Sequence, residues 1–183
     1  MATHFRTLDV DGTQIFYREA GDRGRPTILL LHGFPSSSHM FRDLIPELAD
    51  CHHVIAPDMP GFGQSAMKPR DAFSYTFDNI ADVMDRFTVV AGLTRFAIYV
   101  FDYGAPVGLR IAAKHPERIS AIITQNGNSY LEGLSDAFNP VQVLGRSERE
   151  EPRRASRFPH PADDAVSIHP RRHRSEPGLA RRP

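Results

Sequence analysis

The stretch Val100-Phe101-Asp102-Tyr103-Gly104 closes an apolar run, Phe96, Ala97, Ile98 and Val100, and leads into Gly104-Ala105-Pro106, which can start a helix. An acidic residue therefore stands at a tight turn between a strand and a helix. A strand ending in nucleophile-x-Gly turns sharply, lifts the side chain above its sheet, and points the next helix's N-terminus at any anion that forms there. The pattern reads as a nucleophile elbow with aspartate in the nucleophile's place.

Outward from that turn, strand-like and helix-like segments alternate. Phe5 to Val10 and Gln14 to Arg18 flank Asp11-Gly12, a hairpin signal. Ile28 to Leu31 is a continuous apolar run of the kind shown by a strand covered on both faces. Met40 to Leu48 reads as a helix, with Ser36, Ser37 or Ser38 available as its cap, and His53 to Ala56 as a short strand. From Thr76, the residues Ile80, Val83, Met84, Phe87 and Ala91 recur at helical spacing and face a sheet, and Gly92 ends that helix. Phe96 to Val100, Pro106 to Lys114 and Ile119 to Thr124 are expected to be strand, helix and a further buried strand. Such alternation defines an α/β protein with a largely parallel sheet.

Composition narrows the chemistry. In 183 residues, 22 Lys plus Arg balance 22 Asp plus Glu, which gives no global reason to bind nucleic acid or an acidic membrane, so a small-molecule partner is expected. With Cys51 as the one cysteine, a disulfide framework is excluded and a reducing compartment fits. Met1 to Val10 lacks a basic region followed by an apolar one, and no apolar stretch reaches membrane-spanning length. A cytoplasmic protein is the expectation. His52-His53 beside Cys51 has no second ligand pair at suitable spacing, so neither a metal nor another cofactor is expected.

Beyond about Asn139 the alternation fails. From Gly145 to Pro183 the aliphatic residues larger than alanine are Val166, Ile168 and Leu179, whereas Arg153-Arg154, Pro159-His160-Pro161, Arg171-Arg172-His173-Arg174 and Arg181-Arg182-Pro183 crowd in without a lysine. A segment of this kind buries too little apolar surface to offset its ordering entropy and should be disordered. Arg, Pro, Ala, Ser and His without Lys is also what GC-rich DNA encodes out of frame. The expected organisation is a domain over 1–139 followed by a frameshifted or otherwise non-native tail over 140–183.

His32-Gly33-Phe34-Pro35 stands at the end of the Ile28 to Leu31 strand, and Asp58-Met59-Pro60-Gly61-Phe62-Gly63-Gln64-Ser65 follows the next one. Together with Val-Phe-Asp102-Tyr-Gly, the three motifs in this order resemble the α/β-hydrolase superfamily, and within it the epoxide hydrolases and haloalkane dehalogenases, whose nucleophile is aspartate. The resemblance implies an α/β-hydrolase core. It makes Asp102 the nucleophile that forms an alkyl ester, and makes the backbone N–H groups of Phe34 and Tyr103 the oxyanion-hole donors. It leaves Gly33, Pro35 and Gly104 as structural motif positions, with the peptide before Pro35 commonly cis in the family. His32 and Asp58 read as a hydrogen-bonded histidine at a strand end and a loop anchor.

Departures from the family pattern refine the expectation. The chain has no tryptophan, and Tyr103 follows the nucleophile where haloalkane dehalogenases commonly carry a halide-binding tryptophan. Tyr103 and Pro106 stand where fluoroacetate-type enzymes carry carboxylate-binding arginines. Epoxide hydrolysis is thus the leading expectation and haloalkane dehalogenation the alternative, with a small apolar epoxide or halide-bearing molecule as partner.

One branch of the family places its acid just after the sixth strand, where Gln125, Asn126 and Asn128 stand here, and the cap, last two strands and catalytic histidine have no recognisable counterpart. His160, His169 and His173 fall in the Arg/Pro tail. The expectation is a core of strands one to six, inactive in turnover, whose last strand is an exposed edge open to self-association. Two further readings remain: a non-catalytic binding module using Phe34, Phe62 and Tyr103, and a basic-tailed interaction protein.

Overall fold

A computed structural model describes residues 2–128 together with Tyr130 and Gly133, all within the first of two units, Met1–Asn139 and Pro140–Pro183. The Arg/Pro segment over 140–183, expected to be a non-native tail, lies outside the described residues.

Six strands form one mixed sheet: β1 (His4–Val10), β2 (Thr13–Ala20), β3 (Thr27–Leu31), β4 (His53–Pro57), β5 (Phe96–Phe101) and β6 (Ile119–Gln125), in the spatial order β1-β2-β4-β3-β5-β6. The first two pair antiparallel across Asp11-Gly12, where both residues take positive φ, 49° and 77°, as a tight hairpin turn demands. β2 runs antiparallel to β4, and the pairs β3–β4, β3–β5 and β5–β6 are parallel. The expected α/β architecture with a largely parallel sheet is the one observed.

Alternate residues of the central strands feed two cores. Leu29, Leu31, Ile55, Ile98 and Val100 pack under α2 (Phe77–Val90) and α3 (Gly104–Lys114), against Ile80, Met84, Phe87, Val107 and Ile111. Ile28, Leu30, Val54 and Ala56 face the other side, under Phe41, Ile45 and Ala49. The period of two along a strand thus explains why Ile28 to Leu31 carries no polar residue. Thr76 caps α2, its Oγ1 accepting from Asn79 N at 3.2 Å, an interaction worth about 1 kcal/mol. Gly92, at φ 74°, lies just past the helix end.

Two expectations need correction. The segment from Met40 to Leu48 is not one helix but a 3-10 turn, Ser38–Phe41, capped by Ser37, followed by α1 (Leu44–Ala49). Pro46 is the cause: a continuous helix would need its missing N–H and would press its ring on the carbonyl four residues back. The helix therefore restarts at Leu44, so that Pro46 falls in its first turn. The strand from Ile119 to Thr124 is present but is not buried, since every residue from Ser120 to Gln125 is exposed. Among the described strands β6 pairs with β5 alone, so no described strand covers its outer edge.

Candidate active site

Three neighbouring parallel strands, β4, β3 and β5, end at the same side of the sheet, and their last residues lead into Asp58, His32 and Asp102. Ligand sites of open α/β sheets lie at the carboxyl ends of such strands. The register that pairs Leu31 with Val100 brings Gly33 and Phe34 beside Asp102.

Asp102 takes a left-handed backbone conformation, φ 48°, between β5 and α3. Aspartate tolerates this region better than most residues do. The turn closes when Ala105 N donates to Asp102 O at 2.9 Å, and Tyr103, not Asp102, is the helix cap. Aspartate is thus not spent on capping. Its Oδ1 instead accepts from two backbone amides, Phe34 N at 2.8 Å and Tyr103 N at 2.7 Å. Two donors on one oxygen leave Oδ2 free of any hydrogen bond among the described residues.

The glycines of the site mark close approaches. A Cβ at Gly33 would lie 2.5 Å from Cβ of Asp102, and one at Gly104 would lie 2.3 Å from the Leu31 carbonyl oxygen. Only glycine at both positions lets the elbow sit against the end of β3. The Phe34–Pro35 peptide is cis.

His32 is fully buried and bonded at both ring nitrogens. Nδ1 donates to Gly33 O at 3.0 Å and Nε2 accepts from Met59 N at 3.0 Å, so the ring is neutral with its proton on Nδ1. Burial holds its pKa below the ordinary histidine value, against a smaller opposing pull from the Gly33 carbonyl and the Asp58 charge. Asp58 is buried too, and its Oδ1 accepts from Ser38 N at 2.7 Å and its Oδ2 from Gln64 N at 2.8 Å. It joins the loop after β3 to the loop after β4. Ser65 adds a third tie, its Oγ donating to Asp58 O at 2.7 Å and accepting from Phe16 N at 2.9 Å.

An aromatic group is built on the two residues whose amides hold Asp102. The Phe34 and Tyr103 rings lie 5.4 Å apart, Phe62 meets Phe34 edge-on at 6.4 Å, and Phe77 meets Tyr103 edge-on at 5.0 Å. Phe34 remains 58% exposed and Tyr103 36%, so the apolar surface around the carboxylate is open to a ligand. Sequence reading singled out Phe34, Phe62 and Tyr103, missed Phe77, and gave Ser38 and Ser65 no part in the site beyond a candidate cap and the end of a motif. Phe77 and Ser38 sit among helix-start and loop signals, and their contacts with Tyr103 and Asp58 span 26 and 20 residues.

The described residues hold no group of three His, Cys, Asp or Glu side chains that could bind a metal. His53, beside Cys51, is taken up by Glu19, to which its Nε2 lies 2.9 Å away, and by the Thr27 hydroxyl at 3.2 Å. Gln125, at the end of β6, receives a hydrogen bond from the Tyr99 hydroxyl. A cleft of about 200 Å³ between α2 and α3 is lined by Asp78, Asp82, Asp85, Arg110 and Lys114, none of which belongs to the Asp102 cluster. Its charges pair across the two helices, Arg110 with Asp78 and Lys114 with Asp82 and Asp85, which makes it a packing seam.

A sheet of this topology with an elbow at the end of β5 and two amides converging on the elbow's side chain defines a hydrolase scaffold. Residues 26–171 match the family model of the α/β-hydrolase fold, and the chain belongs to that family. Among curated relatives it is 49% identical, over 78% of its length, to an uncharacterized hydrolase of Saccharomyces cerevisiae. It is 36% identical, over 82% of its length, to a haloalkane dehalogenase of Bradyrhizobium diazoefficiens. The chain spans about half of each relative, 49% and 47% respectively. The crystal structure of the haloalkane dehalogenase DbeA from Bradyrhizobium elkani superposes with a TM-score of 0.65 at 32% identity, covering 69% of this chain and 42% of that one. No described helix is long and apolar enough to cross a membrane.

Proposed function

We propose that the protein is a hydrolase acting through a covalent alkyl ester on Asp102, with an epoxide as substrate. The observation that carries this reading is the unequal state of the two carboxylate oxygens: Oδ1 is held by Phe34 N and Tyr103 N, and Oδ2 is unbonded among the described residues. Oδ2 attacks an epoxide carbon, the C–O bond of the ring breaks, and the released alkoxide takes a proton from water. The product is an ester whose carbonyl oxygen is Oδ1.

Water attack on that ester puts negative charge on the same Oδ1, where the two amides already point. Collapse of the tetrahedral species releases a diol and restores the carboxylate with one oxygen from water. This second step needs a general base within hydrogen-bond reach of the water. His32, with both nitrogens bonded to the backbone, does not supply it. With no other base brought to Asp102 by the described residues, the reading expects the ester to accumulate.

The Phe34, Phe62, Phe77 and Tyr103 rings favour a small apolar substrate. Haloalkane dehalogenation is the second reading, favoured by the 36% identity to a haloalkane dehalogenase. It requires the same attack by Oδ2 with halide as leaving group, in a chain without tryptophan. The free, exposed Cys51 fits a cytoplasmic setting.

Intact-mass measurement after incubation with a terminal epoxide, and separately with a bromoalkane, tests both. One adduct per chain on the tryptic peptide from Phe96 to Arg110, absent in Asp102→Ala, is expected with the epoxide. Unmodified protein without turnover of either reagent would remove the nucleophile reading, and turnover that persists in Asp102→Ala would remove the covalent one.

A further inference from the structure

The Phe34 amide that donates to Asp102 is one end of the Gly33–Phe34 peptide plane, and the Gly33 carbonyl is the other. That carbonyl accepts two hydrogen bonds, from His32 Nδ1 and from Ser36 N, both at 3.0 Å. The imidazole in turn is fixed by Met59 N, which donates to Nε2 at 3.0 Å and so excludes a proton there. A peptide plane turns as a unit, because its C–N bond is close to planar. Holding the carbonyl therefore aims the N–H. Donors at a carbonyl also polarise its amide, which makes the N–H a stronger donor along the chain of bonds.

We propose that His32 is a positioning residue: its Nδ1–H pins the Gly33 carbonyl so that the Phe34 N–H stays aimed at Oδ1 of Asp102, and Met59 N selects the tautomer that can do so. The relay runs from the loop after β4, through the buried ring, to the reacting carboxylate. The Tyr103 amide has a counterpart of its own, since the carbonyl of its peptide, Asp102 O, accepts from Ala105 N at 2.9 Å. Each donor to Oδ1 is thus held at its far end by a different device. The burial of His32, which favours the neutral ring, keeps the relay in its working form.

Two substitutions separate this role from a merely structural one. In His32→Asn the amide nitrogen can occupy the place of Nδ1 and keep the donor to Gly33 O, while the acceptor for Met59 N is lost. In His32→Gln the side chain can reach the place of Nε2 and keep the acceptor, while the donor to Gly33 O is lost. The isotope-labelled 183-residue chain is read by NMR, through the imidazole nitrogens of wild type and the Phe34 amide proton shift in all three proteins. The wild-type ring is expected to be neutral and protonated on Nδ1. The downfield Phe34 shift should survive in the Asn variant and be lost in the Gln variant.

Adduct formation at Asp102 with a terminal epoxide should slow about tenfold in the Gln variant and be restored in the Asn variant. A proton on Nε2 in wild type, or equal Phe34 shifts in all three proteins, would overturn the proposal. The wild-type tautomer decides even if a variant fails to fold. The kinetic arm rests on Asp102 being the nucleophile; a wild type that never forms an adduct defeats that reading alone, because the NMR arm still decides the role of His32.

Discussion

The amide nitrogen of Phe34 lies 2.8 Å from Oδ1 of Asp102, although 68 residues separate them in the chain. Parallel pairing of β3 with β5 creates the contact, and a one-residue slip in that register would destroy it. The site's chemistry thus depends on packing at the strand ends as much as on the carboxylate itself.

Gly33→Ala should damage the site directly. The new methyl would lie 2.5 Å from Cβ and 2.8 Å from Oδ1 of Asp102, well inside contact distance. We expect a loss of stability of about 1–3 kcal/mol by urea denaturation, together with slower adduct formation at Asp102. Unchanged rate and stability would mean that the loop after β3 relaxes freely, contrary to the tight approach described.

Asp58→Asn should loosen the two loops that wall the site. Both carboxylate oxygens accept from backbone N–H groups, so an amide nitrogen must face one donor with another. Leaving buried polar groups mismatched costs about 1–3 kcal/mol. Thermal denaturation checks this, and faster hydrogen exchange at Ser38 or Gln64 would locate the damage.

Stability should fall on the acid side for three identifiable reasons. Burial raises the Glu19 carboxyl, but the hydrogen bond from His53 and the charges of Arg23 and Arg6 outweigh it and hold it below the ordinary value. Burial also raises the Asp85 carboxyl, but the hydrogen bonds and charges of Lys114 and His115 outweigh it and hold it below the ordinary value. Folded pKa values below the unfolded ones mean that both contributions are present above about pH 4 and are lost as pH falls through the folded values. His32 acts in the same sense: its lowered pKa makes its contribution complete above about pH 6.5 and lost as pH falls from there. Urea midpoints should decline in two stages on acidification, and Glu19→Gln should shrink the lower one.

The exposed strand β6 should make this chain self-associate. Ile122 and Ile123 are 49% and 43% exposed on a strand that pairs, among the described strands, with β5 alone. Unpaired apolar edges join with one another. Light scattering coupled to size exclusion should show concentration-dependent association of the 183-residue chain, reduced by Ile123→Lys. A monomer at every concentration would count against an open edge.

Much of the fold was legible because each signal is local. Asp11-Gly12 marks the hairpin, the spacing of Ile80, Met84 and Phe87 marks α2, and the run from Ile28 to Leu31 marks a strand with a core on each face. The break before α1 was legible in principle from Pro46 but was masked by the apolar pattern around it. The place of β6 at the sheet edge was expected, but its composition read as that of a strand covered on its faces, whereas exposure depends on what packs beside it. The separate duties of His32 and Asp58 could not be read beyond their general character, since their partners Met59, Ser38 and Gln64 are assembled by the loops.

The sequence by itself determined the alternation of strands and helices, the elbow at Asp102 and the candidate donors Phe34 and Tyr103. The alternation and the turn follow from backbone conformations that a few neighbouring residues dictate through sterics and apolar periodicity, whereas the two donors were implied only by the resemblance of the motifs around them to the α/β-hydrolase superfamily. Only the tertiary structure decided that both amides meet on one oxygen of Asp102, that the His32 ring is locked as one tautomer, and that Phe77 joins the aromatic wall. Hydrogen-bond geometry is set over tenths of an ångström by strands and loops far apart in the chain, and no local pattern encodes that distance.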